Sequence, residues 1–294
     1  MTLVISCSTE RYALIASDMR LTDSHGSVVH SETNKIMSWE GRFLMGFSGL
    51  AMIPKPGRTW DLAATDWWTA DALVKVKVDR PNKTLPQEFA DRATASFQRL
   101  RGAAYTPVVR RHAWLAVGFN LSPEYWPDSG DAAPATWLVS NALDDLGLEW
   151  RPTAGQSFRP MAFTYDPAAN HCLVRAVGTS RPDAVPRMRA EMNGILASDP
   201  DDYLAVLDVM INEIRDTAQQ TSAVGLEVLG AALPVAARGV TRMALQALEQ
   251  PLRAQTSFYV SDTGELKFFT PMMVTQWGTL GQGSVEYGDP KSGS

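Results

Sequence analysis

The sequence is poor in the residues that staple or metallate a fold. Its 294 residues contain 2 cysteines, Cys7 and Cys172, and 4 histidines, His25, His30, His112 and His171. Two thiols cannot build a disulfide framework, and they fit a reducing, cytoplasmic compartment. Neither has a second cysteine or a histidine pair at zinc spacing. His171 and Cys172 are chain neighbours and would point to opposite faces of a strand. No metal or other cofactor is expected. Positive charge is also short: 27 Lys and Arg stand against 32 Asp and Glu, a net charge of −5. No basic field could hold phosphate backbones, so a nucleic-acid partner is not expected. Long apolar runs are missing too. The best candidate, Val224 to Val240, contains Glu227, Pro234 and Arg238, and a span needs about 18 uncharged apolar residues, so no membrane partner is expected. The first residues, MTLVISCSTERYALIASDMR, lack a basic n-region, and Glu10 and Arg11 interrupt their apolar run. They do not form a signal peptide.

What is there is globular. Hydrophobic residues make up 45% and charged residues 20%, which excludes a disordered, collagen-like or coiled-coil chain as the main structure. The 9 Trp suggest aromatic packing or apolar surfaces for partners. Length alone suggests two domains at ~150 residues each. The order of elements reduces this to one enlarged domain over residues 2–275. Insertions fall at about 121–157 and 235–252, and a polar, loose tail covers 276–294.

Leu3 to Ser8 and Tyr12 to Ser17 read as a hairpin. Lys35 to Trp39 and Phe43 to Ser48 read as a second, turning at Glu40-Gly41, with Asp23 to Gly26 as turn material between them. A helix from about Arg58 to Val74 carries Trp60, Ala64, Trp67 and Val74 at helical spacing. A second starts at Thr84, with Thr84 and Gln87 as a capping box. A strand over His112 to Asn120 follows. The segment 121–157 holds one strand, Thr136 to Ser140, and could cover a cleft or extend an interface. Met161 to Tyr165 and Cys172 to Val177 read as a hairpin about Asp166-Pro167. Val185, Met188, Met192 and Ile195 mark a third helix. Asp199 and Pro200 look like the N-cap and first position of a fourth, with Leu204, Leu207, Ile211 and Ile214 as its stripe. A strand over Gly225 to Leu233, an amphipathic insertion and a hairpin about Asp262-Thr263-Gly264 complete the chain. Runs of strands alternating with helix pairs predict an α+β fold: antiparallel sheets with helices layered on them.

No GxSxG, Walker loop, HExxH or GxGxxG occurs in a convincing context. The N-terminus offers chemistry instead. Thr2 is small enough for Met1 to be removed, which would leave an α-amine and a hydroxyl on one residue. A hydroxyl needs a base to attack. An α-amine of pKa near 7.7–8.0 can serve as one, a known variant of triad logic.

Four segments then carry a resemblance. They are Thr2-Leu3-Val4, Ala16-Ser17-Asp18-Met19-Arg20-Leu21-Thr22, Asn34-Lys35-Ile36 and Gly46-Phe47-Ser48-Gly49-Leu50. Together they resemble the start of a bacterial-type proteasome β subunit, in the N-terminal nucleophile hydrolase superfamily. The spacing from Thr2 to Asp18 matches the family's, and Lys35 sits one residue later than usual. The resemblance implies a four-layer αββα sandwich and a threonine peptidase or amidohydrolase. It implies Thr2 as nucleophile, with its amine as base. Lys35 would lower the pKa of that amine by like-charge repulsion, Asp18 would fix Lys35, and Arg20 would support both. The Gly49 N–H would form an oxyanion hole, worth ~3 kcal/mol.

Later matches are looser. Gly178-Thr179 stands where the family has Gly-Ser. Ser222 is kept from a family Asp-x-x-Ser-Gly, but Gln219 replaces its Asp, and Asp216 lies almost a helical turn away. The resemblance also implies a peptide or protein substrate, self-association into a homo-oligomer or ring, an unknown unfoldase partner and activation by loss of Met1 alone. Alternatives are a small-amide hydrolase on the same fold and a catalytically silent scaffold subunit. Read without the resemblance, Asp18 and Lys35 could be a surface pair worth ~0–1 kcal/mol, Arg20 a structural residue, and Thr179 and Ser222 ordinary cap or turn residues. Cys7 and Cys172 read as small buried residues, Met188 and Met192 as core, and Trp60, Trp67 and Trp68 as core or subunit contact.

Overall fold

The computed structural model describes residues 2–22, 28–30, 35–39, 43–54, 62–75, 85–100, 102, 105–119, 134–144, 149–164, 168, 171–235, 242–246, 251–252, 257–260, 266–269, 272–275 and 278–280. In chain order the elements are β1 (Leu3–Ser8), β2 (Tyr12–Asp18), β3 (Leu21–Thr22), β4 (Val28–His30), β5 (Ile36–Trp39), β6 (Phe43–Ser48), β7 (Met52–Pro54), β8 (Leu62–Ala64), α1 (Thr65–Lys75), α2 (Leu85–Phe97), β9 (Ala113–Phe119) and β10 (Pro134–Ser140). There follow β11 (Arg159–Thr164), β12 (Leu173–Gly178), α3 (Ala184–Ser198), α4 (Tyr203–Gln220), β13 (Val228–Pro234), β14 (Arg242–Gln246), β15 (Pro251–Leu252), β16 (Ser257–Val260), β17 (Leu266–Phe269), β18 (Met272–Thr275) and β19 (Gly278–Leu280).

Two large sheets organise the chain. One has the order β12-β1-β2-β13-β14-β15, the other β11-β10-β9-β6-β5-β18-β19. Their ladders are antiparallel except for β5 against β18, which is parallel. The strand sequences show why each sheet is covered on both faces. In β9 every side chain is buried, and the period of two divides them. Trp114 and Ala116 join a core with α1 and α2 through Trp68, Phe89 and Phe97. Ala113, Leu115 and Val117 join a second core with Val4, Ile15 and Leu229 of the other sheet. In β1 and β2, Leu3, Ile5, Cys7, Leu14 and Ala16 pack on Met188 and Met192 of α3 and Met210, Ile211 and Ile214 of α4. The layers therefore run α3 and α4, six-stranded sheet, seven-stranded sheet, α1 and α2. Each fully buried Leu, Ile or Phe contributes roughly 1.5–3 kcal/mol.

The tryptophans divide by position. Trp68 is core and donates through Nε1 to Ser96 Oγ at 3.2 Å. Trp114 stacks on it at 5.3 Å and donates to Thr69 Oγ1 at 2.8 Å. These two indole N–H groups thus keep partners in an apolar layer, whereas buried Trp137 Nε1 meets none among the described residues. Trp67 is half exposed, and Trp60 lies outside the described residues.

Several expectations are corrected. β11 and β12 do not form a hairpin: β11 pairs with β10 in one sheet and β12 with β1 in the other. The proposed turns at 23–26, 40–41, 166–167 and 262–264, and the Thr84 cap, lie outside the described residues. The first helix starts at Thr65, because residues 62–64 pair with β7 as β8. The cap of α4 is Asp202, whose Oδ1 accepts from Ala205 N at 3.0 Å, not Asp199. Asp199 instead ends α3, donating through its N–H to Ile195 O. Four strands occupy expected insertions or tail. β10, the strand expected within 121–157, lies inside its sheet between β9 and β11; β14 and β15 extend the other sheet beside β13, and β19 pairs with β18. Among the described residues, no helix is long and apolar enough to cross a membrane.

Candidate active site

Thr2 sits at the mouth of β1 and is 5% exposed. The alternation of the strand places it on the face of Val4, toward the second sheet. Its carbonyl is held from two sides. Ser48 Oγ, at the end of β6, donates to it at 2.9 Å, and Thr179 N, just after β12, at 3.2 Å. Gly178 makes this approach possible. Its φ is +103°, and a Cβ there would lie 1.7 Å from Thr2 O.

The hydroxyl of Thr2 accepts a short hydrogen bond from Lys35 Nζ. Lys35 immediately precedes β5, and its ammonium is shared. It also donates to Asp18 Oδ2 at 3.1 Å and to the Arg20 carbonyl. Asp18 ends β2, opposite the N-terminal end of β1. Its carboxylate is fully engaged: Oδ1 accepts Leu3 N at 2.9 Å, and Oδ2 accepts Arg20 N and Gly225 N, each at 3.1 Å. The side chains of Lys35 and Asp18 are both 0% exposed. Burial pulls the Lys35 ammonium below its ordinary pKa, while the Asp18 charge pulls it back up. An ion pair this deep costs desolvation that its attraction barely offsets. A fold has little structural use for such a pair, which makes its placement against a hydroxyl the informative fact.

Gly49 comes directly after Ser48, with φ +130°. The next amide, Leu50 N, donates to His112 Nδ1 at 3.0 Å. His112 is fully buried, and burial pushes its pKa down to about 3.

The structure brings together Thr2, Asp18, Lys35 and Arg20. Arg20 acts through its backbone, and its guanidinium donates to the carbonyls of Ser222 and Val224 at 3.2 and 3.3 Å. Thr179 and Ser222 reach the site through a backbone N–H and a backbone C=O, not through the hydroxyls the sequence singled out. The Ser222 side chain is exposed. Gln219 is exposed at the end of α4, and Asp216 pairs with Arg181 at 3.0 Å, away from Lys35. Sequence reasoning missed three contributors: the Ser48 hydroxyl, the Gly225 amide and His112. Ser48 adjoins the expected oxyanion glycine, and that adjacency was its one signal. Among the described residues, no group of three or more His, Cys, Asp and Glu has metal-holding geometry.

No protein-family model and no curated protein matches this chain.

Proposed function

We propose that the chain is an N-terminal threonine hydrolase that cleaves peptide or amide bonds through an ester on Thr2. One observation carries this reading: a fully buried ammonium, held by Asp18 and the Arg20 carbonyl, donates to the Thr2 hydroxyl. With Met1 removed, the α-amine of Thr2 takes the Oγ1 proton as Oγ1 attacks the substrate carbonyl carbon. Lys35 stabilises the developing charge on Oγ1 and disfavours protonation of the amine. The oxyanion formed on the substrate is held by the Gly49 N–H. The intermediate collapses, the C–N bond breaks, and the leaving amine takes the proton from the α-ammonium. Water then attacks the ester with the same amine as base. The product leaves as a carboxylic acid and Oγ1 regains its proton. The αββα layering and the antiparallel ladders support the N-terminal nucleophile fold for this chemistry.

The test has two steps. Intact mass of the purified chain should show loss of Met1, since a retained Met1 blocks the amine. Incubation with a peptide epoxyketone or a β-lactone should then add one probe mass at Thr2, and Thr2→Ala should abolish it. An unlabelled, Met1-free chain overturns the reading.

A further inference from the structure

The ring of His112 lies in a box built for a hydrocarbon. Phe47 stacks over it with centroids 5.9 Å apart, and Phe97, Trp114 and Phe158 surround it at 5.4, 4.1 and 6.5 Å. Its Nε2 meets no hydrogen-bond partner among the described residues. Leaving a donor buried and unpaired works against stability. A phenyl ring would suit this box better in every respect but one: it has no acceptor for Leu50 N–H. The imidazole supplies one. Burial keeps the ring neutral, so Nδ1 retains its lone pair and the proton resides on Nε2.

We infer that His112 is a positioning residue that fixes the Gly49–Leu50 backbone so that the Gly49 N–H faces the oxyanion formed at Thr2. The inference rests on the threonine-hydrolase reading. Two peptide planes flank Gly49. The first is set by β6, which ends at Ser48, and Ser48 also holds the Thr2 carbonyl. The second is set by the bond from Leu50 N to His112 Nδ1. Between them Gly49 has φ +130°, where its peptides gain little direction from local sterics. Contact closes the arrangement: a Cβ on Gly49 would lie 2.5 Å from both His112 Nδ1 and Arg111 O. His112 is itself anchored on β9 and β10. Its N–H donates to Asn141 Oδ1 at 2.9 Å, and its carbonyl accepts from Ser140 Oγ at 3.0 Å. Asn141 Nδ2 donates in turn to Arg110 O at 2.9 Å. The seven-stranded sheet thus holds an uncharged clamp against the turn that follows β6, while the other sheet holds the Asp18 end of the charged cluster.

The experiment measures covalent labelling of Thr2 by a peptide epoxyketone, whose ketone carbon the hydroxyl attacks before the α-amine opens the epoxide, separating kinact from KI, in the wild type, His112→Phe and His112→Gln. The phenyl ring fills the box without an acceptor, and the amide oxygen of Gln can accept the Leu50 N–H. We expect kinact to fall about tenfold or more in His112→Phe with KI within about twofold, short of the ~10²–10³-fold loss of a whole oxyanion donor. His112→Gln should recover kinact to within about threefold of the wild type. A purely structural role would lower the fraction of chain that labels at completion, not kinact. Wild-type kinact in a folded His112→Phe overturns the inference and leaves the hydrolase reading standing. A wild type that does not label at Thr2 overturns the hydrolase reading itself. Should His112→Phe fail to fold, amide exchange in the wild type decides. Leu50 N–H is expected to exchange about 100-fold or more slower than an open amide, and unprotected exchange there overturns the clamp.

Discussion

Two flanks with opposite chemistry meet at Thr2. On the flank built by β1, β2 and the start of β5, the buried groups are charged and saturated. Asp18 accepts from three backbone amides and from Lys35. On the flank built by β6, β9 and β10, the buried group is a neutral imidazole among aromatic rings, with one nitrogen used and one not. On the proposed chemistry, the difference separates two tasks. A hydroxyl that must lose a proton needs fixed charge beside it, and an oxyanion hole needs fixed dipoles with no net charge to reorganise.

The largest effect should come from breaking the charged flank. Lys35→Met removes the ammonium and leaves Asp18 buried without its counter-ion. Stripping one partner from a buried pair costs about 3–5 kcal/mol. Urea unfolding should show that loss, and probe labelling at Thr2 should slow by at least ~10²-fold. Labelling at the wild-type rate would mean that the Lys35–Thr2 contact has no part in the chemistry.

The two flanks also differ in how legible they were. Thr2, Asp18, Arg20 and Lys35 come from the first thirty-five residues, where short strands and tight spacing place side chains almost directly. Their convergence follows from β1 pairing with β2 and from β5 lying across the other sheet. His112 carried no comparable signal. A lone histidine opening an apolar strand looks like ordinary core, and its link to Leu50 exists only because β9 pairs with β6. The apparent β11–β12 hairpin failed for the same reason. Local turn chemistry says that the chain reverses, but the available edges decide which sheet receives it, and β10 and β1 were those edges. Ser222 and Thr179 were found at the right places for the wrong atoms, since a sequence displays hydroxyls and conceals backbone groups.

Gly178→Ala attacks the seam between the flanks. Its φ of +103° and the 1.7 Å separation of the added Cβ from Thr2 O cannot both be relieved in place. Backbone strain of ~1–2 kcal/mol and overpacking of ~1–3 kcal/mol should together destabilise the fold by roughly 3 kcal/mol or more. Displacing Thr2 by about 1 Å would slow labelling by ~10²-fold. Gly102→Ala is the matched control. Gly102 has a similar φ, +107°, but no atom of the described residues near its Cβ position, so strain alone remains, ~1–2 kcal/mol, with labelling unchanged. Equal losses in the two variants would show that the close approach to Thr2 is not what constrains Gly178.

Acid should weaken the neutral flank. In the unfolded chain His112 takes a proton below about pH 6.5, whereas in the folded chain it resists protonation down to about 3. Its contribution is therefore complete above pH 6.5. It drains away as pH falls toward 3, at up to about 1.4 kcal/mol per unit. Lys35 has the same sign in a higher window. Its folded pKa is lowered from 10.5, so stability rises with pH between the lowered value and 10.5. Urea midpoints measured from pH 7 to pH 4 should fall more steeply for the wild type than for a folded His112→Phe. Parallel lines for the two proteins would mean that His112 titrates as an exposed histidine does.

The smallest effects should come from the hydroxyls. Thr179 touches the Thr2 carbonyl with its backbone N–H, and Ser222 meets the Arg20 guanidinium with its backbone C=O. Both groups survive replacement by alanine. Thr179→Ala and Ser222→Ala should therefore change stability by no more than about 0.5 kcal/mol, with Thr2 labelling within about twofold of the wild type. The resemblance to the proteasome β subunit implies otherwise, because it assigns these positions a supporting role through their side chains. Slow labelling in Ser222→Ala with stability intact would give that hydroxyl a part in catalysis and would extend the charged flank beyond Arg20. Unchanged labelling would confine that flank to Thr2, Asp18, Lys35 and the backbone that holds them.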